Sequence, residues 1–349
     1  MLPQFRNHIP WFAFLLHLRD MKDLYRVSGS SLIRSYSRDE QEFQAKMCSF
    51  PPVVGAEVTF GFSPIRGILV GVMRMPEEIL GPQGYQATLE GLEVALQQGA
   101  RVIGLGALTA PVTGSGLKLL RHMPAGTTLT NGNAYTAAVV RSTVVEVSDA
   151  LGLGKRARVA VIGCTGSVGV PASYLLAEHG FDLTLVGRNV ERVRNLLGDL
   201  ADRATFVSGF DALRAVDIVL VLTGDPSAQL TPEQVREGSV VIDCAQPANI
   251  SKSDYETFRQ RGVIVVEGGI VRIPGYTCIQ DLGLSSPEDT FACLAETYLF
   301  AREGIREHSV GRPSADLARR LERIAQRHGV HPRPLAPALN SQQPVIAGG

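Results

Sequence analysis

Nothing in this 349-residue sequence tips its charge, because 34 Lys and Arg offset 34 Asp and Glu. That balance excludes a global field able to gather nucleic acid or an anionic membrane, and any charged partner must be met by a local patch. Cysteine is scarce as well. The five, Cys48, Cys164, Cys244, Cys278 and Cys293, form no CxxC pair and no metal-ligand spacing. No metal site is expected, and free thiols suit a reducing cytoplasm. A bilayer-length apolar run is missing near the start, where Ile9 to Leu16 is too short and leads into His17 and Arg19. A small-residue cleavage site is missing too, which argues against secretion. The expectation for this segment is a buried helix, with peripheral membrane contact as the minor alternative. There is no internal repeat.

What is present is ample apolar material, 45% of the residues, enough for two domains with a core each. From Arg158, "RVAVIG" reads as a strand, "GCTGSVG" as a glycine turn and "VPASYLLAEHG" as a helix; "DLTLVGRN" closes a βαβ unit. Unalternating apolar runs follow at 217–224, 239–246 and 263–270. Such runs fit strands covered on both faces. The fold class is therefore α/β, with a doubly wound parallel-sheet (Rossmann) nucleotide domain at 154–272. Residues 1–130 read as a second α/β domain for substrate, with two strands joined near Ser63 to Gly67 and a helix ending at Gly99. A connecting helix spans 131–153. Helices fill 273–333, and 334–349, rich in Pro, Ala, Gly and Gln, reads as a disordered tail.

Gly163, Gly166 and Gly169 leave the backbone free to turn tightly and to approach a pyrophosphate at a helix N-terminus. Thr165 and Ser167 add hydroxyls there, and Val168 completes the turn. The second strand ends in Arg188 and Asn189, with no acidic residue to hold the ribose 2′-hydroxyl of NAD. A guanidinium pairs with the 2′-phosphate of NADP, which makes NADPH the expected cofactor. Thr223 and Gly269, at the ends of later strands, complete the cofactor-binding candidates.

Of the five thiols, two stand out as nucleophile candidates. Cys244 follows "VVID" at the carboxyl end of a strand, where ligands bind in such sheets. Cys293 lies in the helical stretch "EDTFACLAETYLF". With Ser286 as N-cap, Pro287 at N1 and Asp289 at N3, Cys293 falls near N7, too deep for much dipole activation. The residues alone do not choose between them, and a packed thiol is the default for both.

The motifs "GLGALTA" (104–110), "TNGNAYTAAVV" (130–140), "GCTGSVG" (163–169), "EGGIV" (267–271) and "FACLAE" (291–296) occur in an order and spacing that resembles the aldehyde-forming long-chain acyl-ACP reductases. The likeness spans residues 100–333. Tyr135 stands where several members have histidine, and Arg272 where an acidic residue is common. The resemblance implies that Cys293 is acylated by a fatty acyl thioester on acyl carrier protein or CoA, and that NADPH reduces the acyl-enzyme to a fatty aldehyde. Asn133 and Tyr135 are then candidate oxyanion donors and Glu296 a candidate proton carrier. An acidic carrier protein would suit residues 301–333, where eight Arg outnumber four acids. Two other readings remain: a shikimate-dehydrogenase-like NADP oxidoreductase, which asks for a lysine and an aspartate in the first domain, and a protein that senses NADPH without turnover.

Overall fold

The computed structural model describes residues 11–61, 63–225, 228–335 and 339. The expected disordered tail therefore lies almost wholly outside the described residues, as do Ile9 and Pro10 of the first apolar run. The chain divides into two compact units. One comprises the described residues up to Gly132 with Val271–Gly311 and Arg323–His331; the other comprises Asn133–Ile270 with Arg312–Glu322 and the described residues from Pro332 on.

The first unit is built on strands β1 (Phe12–His17), β2 (Val53–Phe60), β3 (Arg66–Val72), β4 (Val102–Leu105) and β5 (Thr128–Thr130). Short helices α1 (Met21–Arg26), α2 (Ser30–Ser35) and α3 (Glu40–Cys48) lie between β1 and β2, while α4 (Pro76–Leu80), α5 (Gly84–Gln97) and α6 (Thr109–Val112) follow β3. The first apolar run is a strand where a buried helix was expected. β1 pairs in parallel with both β3 and β4, so hydrogen bonds to two neighbours and burial on both faces outweigh any helical preference. Gly67 on β3 makes room for it, since a methyl group there would meet the Phe12 ring at 2.1 Å.

The second unit opens with α7 (Asn133–Ala150) and continues through β6 (Arg158–Ile162), α8 (Gly169–His179), β7 (Asp182–Val186), α9 (Val190–Leu197), β8 (Ala204–Val207), β9 (Ile218–Val221), β10 (Val240–Asp243), α10 (Tyr255–Gln260) and β11 (Ile264–Glu267). Its strands lie in the order β11-β10-β9-β6-β7-β8, all parallel. This is the doubly wound arrangement expected from the sequence, with its switch point between β6 and β9. At the amino edge, the buried Asp217 accepts from the Arg158 backbone and side chain and from Arg236. Burial pushes that carboxyl up, but the two guanidiniums hold it below the usual range.

The chain then passes through β12 (Ile270–Arg272) into β13 (Tyr276–Cys278), an edge strand antiparallel to β2. This completes the first sheet in the order β13-β2-β3-β1-β4-β5. A short β14 (Asp289–Phe291) runs directly into α11 (Ala292–Glu303), and α12 (Ala315–Arg327) follows.

At the end of β1, His17 pins the loop after β4. Its Nδ1 donates to the Leu18 carbonyl at 2.6 Å, and its Nε2 accepts from the Leu108 N–H at 3.2 Å. Only the neutral ring satisfies both contacts. Burial lowers its pKa to about 4, against a smaller upward pull from the Leu18 carbonyl. Since the unfolded ring titrates near ~6.5, this contribution is fully present above that pH and is lost as pH falls towards about 4. The shift corresponds to ~3 kcal/mol. Urea titrations of the wild type and His17→Gln across this window should give stabilities whose difference shrinks with acid; a constant difference would refute the assignment.

Candidate functional site

The glycine turn expected to hold a nucleotide forms where β6 leaves the sheet of the second unit. Gly163 adopts φ +84°, a left-handed conformation that side chains disfavour. A methyl group at Gly169 would lie 2.1 Å from the Gly163 carbonyl oxygen, so the first turn of α8 rests directly on the turn's backbone. Gly166 closes the turn, donating to the Gly163 carbonyl at 2.9 Å, and stays exposed. Cys164 points inward and its thiol donates to the Val186 carbonyl at 3.3 Å, tying β6 to β7. Burial pushes that thiol up to about 12. The Thr165, Ser167 and Val168 positions remain partly exposed beside the open turn.

Arg188, just after β7, is 87% exposed in its side chain and pairs with Asp225 at 2.8 Å. Asn189 caps α9, accepting from the Arg192 N–H at 3.0 Å. The Thr223 hydroxyl accepts from the Asp225 N–H at 3.2 Å. Gly269 sits at φ +70° after β11. Asp225 was not among the sequence candidates; its signal is an acidic residue just past a strand at the ligand-binding edge.

The remaining candidates separate. Asn133 and Tyr135 belong to the second unit, at the start of α7; Cys293 and Glu296 belong to the first. Tyr135 is buried, which raises its phenol well above the ordinary value, with Glu322 adding to the effect. The helix carrying Cys293 begins at Ala292, with Phe291 as N-cap, so the cysteine lies in the first turn. The expected start at Pro287 fails because residues 289–291 are taken up as β14.

Early placement does not make a reactive thiol. Burial pushes Cys293 up to about 12, the Glu296 carboxylate adds to this, and backbone N–H groups of Leu294 and of Ala107, itself at φ +48°, only partly oppose it. The cysteine side chain is only partly buried, and its Cβ packs closely against a glycine. A methyl group at Gly132 would meet the Cys293 Cβ at 2.2 Å, and one at Gly104 would meet the Thr297 hydroxyl at 2.0 Å. Between them, the buried Glu296 carboxylate accepts from the Thr130 hydroxyl. Residues 293, 296 and 297 thus form the helix face that seats α11 on β4 and the end of β5. Cys244 fares no better as a nucleophile, because burial, with Asp243 and Glu267, raises it well above the ordinary thiol range. A methyl group at Gly268 would lie 2.4 Å from its sulfur.

Among the described residues there is no metal-binding cluster, and no helix is long and apolar enough to cross a membrane.

Comparison with known proteins overturns the family resemblance. Residues 147–266 match the shikimate / quinate 5-dehydrogenase family, and not acyl-ACP reductases. A curated relative, the aminotransferase PigE of Serratia sp. (strain ATCC 39006), is 26% identical over 330 residues, 90% of this chain. The chain spans 38% of that relative's length. Among solved structures, shikimate 5-dehydrogenase from Thermus thermophilus, in complex with NADP(H) and shikimate, is 15% identical, with 91% of this chain and 98% of that chain covered and a TM-score of 0.39. L-tryptophan dehydrogenase from Nostoc punctiforme is 16% identical, with coverage of 91% and 89% and a TM-score of 0.38.

The family matched over residues 147–266 is one of oxidoreductases. Reduction of fatty acyl thioesters to fatty aldehyde, and with it acyl carrier protein or CoA as partner, is withdrawn. The basic stretch offered for a carrier is in part already neutralised: Arg319 pairs with Glu178 and Asp316, Arg327 with Glu303, and Arg333 with Glu267. Cys293 should accordingly resist alkylation. At pH 8 its reaction with iodoacetamide, followed by peptide mass spectrometry, is expected to be ~10³-fold slower than that of an ordinary thiol. Rapid labelling of the folded chain would contradict the packing role.

Proposed function

We propose that the chain is an NADP(H)-dependent dehydrogenase of a small polar molecule, a hydroxy acid of the shikimate kind or an amino acid. The observation that carries this reading is the second unit, with its glycine turn at the switch point and Arg188 just past the strand alongside. The cradle fits a dinucleotide, because the Gly163 conformation and the side-chain-free Gly166 leave backbone open to an approaching pyrophosphate. Bound there, the cofactor supplies or accepts a hydride at its nicotinamide ring.

The chain's residues perform the rest. Thr165 and Ser167 offer hydroxyls to phosphate oxygens, and Arg188 meets the 2′-phosphate. Val168 and Asn189 shape the walls, with Thr223 and Gly269 along the carboxyl edge. Removal of a hydride from a carbinol or amine carbon also releases a proton. A group beside the substrate must take it up. Asn133 and Tyr135, at the start of α7, are assigned to orient the substrate oxygen. No lysine lies near "TLTNGNAY", where a shikimate dehydrogenase would be expected to carry one, so the substrate class is drawn more widely than shikimate. Five unpaired cysteines suit a reducing compartment such as the cytoplasm.

The test is to incubate the purified chain with NADP+ and separate panels of hydroxy acids and amino acids, following the absorbance of the reduced nicotinamide. Turnover with a member of either panel supports the reading; tight NADP(H) binding with no turnover across both would favour nucleotide sensing. Arg188→Ala should weaken NADPH by ~1.5–3 kcal/mol, the usual worth of a hydrogen bond to a charged group, and leave NADH nearly unchanged. Equal weakening of both would remove the 2′-phosphate assignment.

A further inference from the structure

The Arg188–Asp225 ion pair joins two loops that leave the sheet on opposite sides of β6. Arg188 follows β7 and Asp225 follows β9, and β6 lies between those strands. Both loops touch the glycine turn. A methyl group at Gly187 would lie 3.9 Å from the Cys164 sulfur and 4.0 Å from the Thr165 side chain, while one at Gly163 would lie 3.1 Å from the Thr223 nitrogen. The pair therefore bridges the two banks of the groove in which the glycine turn opens. The Asp225 side chain is 27% exposed and that of Arg188 is 87% exposed, so the arginine has the freedom to swing and the aspartate less of it. The Thr223 hydroxyl holds the Asp225 backbone from the same loop.

We propose that Asp225 is a specificity-determining residue whose carboxylate occupies Arg188 until a ribose 2′-phosphate displaces it. This inference rests on the NADP(H) reading above. The guanidinium exchanges one anion for another. A dianionic phosphate offers it more charge and more acceptor oxygens than a carboxylate does. NADH has no anion to offer in exchange and leaves the pair in place. Asp225 thereby lowers the affinity for NADPH and sets how readily the phosphate is released again. The pair is largely exposed, and exposed pairs are weak, so its removal should tighten NADPH by about two- to fivefold and no more.

Nicotinamide fluorescence titrations on the full chain test this, with NADPH and NADH against wild type, Asp225→Asn, Arg188→Ala and the double variant. The expected result is tighter NADPH binding in Asp225→Asn, unchanged NADH binding, and no gain from Asp225→Asn once Arg188 is alanine. Weaker or unchanged NADPH binding in Asp225→Asn would overturn the proposal, as would the same gain without Arg188. Asp225→Ser gives the same readout should the asparagine variant fail to fold, as judged by circular dichroism. Wild type that binds neither dinucleotide would instead bring down the cofactor reading itself, a separate outcome from failure of the Asp225 exchange.

Discussion

At Gly169 the first turn of a helix lies so near the Gly163 carbonyl that a single methyl group would sit 2.1 Å from its oxygen. The contact is backbone on backbone, and only hydrogen fits between. It sets α8 against the end of β6 and keeps the turn narrow, which in turn brings the Gly163 region against Leu222 and Thr223 of the neighbouring strand's exit loop. The groups proposed to face a dinucleotide, from Thr165 to Arg188, surround this one approach. A side chain at that position would push the helix away and widen the groove before any chemistry was considered.

The same device recurs in the first unit with a different result. There the hydrogens of Gly104 and Gly132 admit the side chains of Thr297 and Cys293, so α11 sinks onto the sheet and draws Glu296 to Thr130. A small, polarizable side chain is what such a notch accepts. The cysteine's position in the first turn of its helix invites a functional reading, yet its surroundings oppose ionisation. Burial outweighs the few backbone N–H groups turned towards the sulfur.

Much of the second unit was legible in the sequence because its strands are buried on both faces and read as plain apolar runs. β6, β7, β9, β10 and β11 all fall within runs recognised that way, and the glycine spacing marks the turn between β6 and α8. β8 escaped because it is a four-residue edge strand, ATFV, without a full apolar signature. β1 was misread because six apolar-rich residues carry no period that separates strand from helix; only its pairing with β3 and β4 decides the matter. The start of α11 was misplaced for a related reason. Ser286, Pro287 and Asp289 make a persuasive local cap, but a sheet register that no local rule encodes claims residues 289–291 first. Short motifs shared in order suggested a family that comparison did not sustain, since glycine notches and small residues recur wherever a helix must lie close to a strand. Asp225 was invisible as a partner of Arg188 because 37 residues and two strand exits separate them in the chain.

The first unit is interrupted. Its strand β13 and helix α11 come from Val271–Gly311, after all of Asn133–Ile270 has been made. β2 is an open edge until β13 arrives to cover it. On the ribosome, the parallel sheet of residues 158–267 can therefore assemble while the earlier sheet is still missing an outer strand and the helix that seats on β4. The sheet that begins first thus receives its outer strand only after the later parallel sheet has all of its strands, and its exposed ladder is the part a nascent chain most needs shielded.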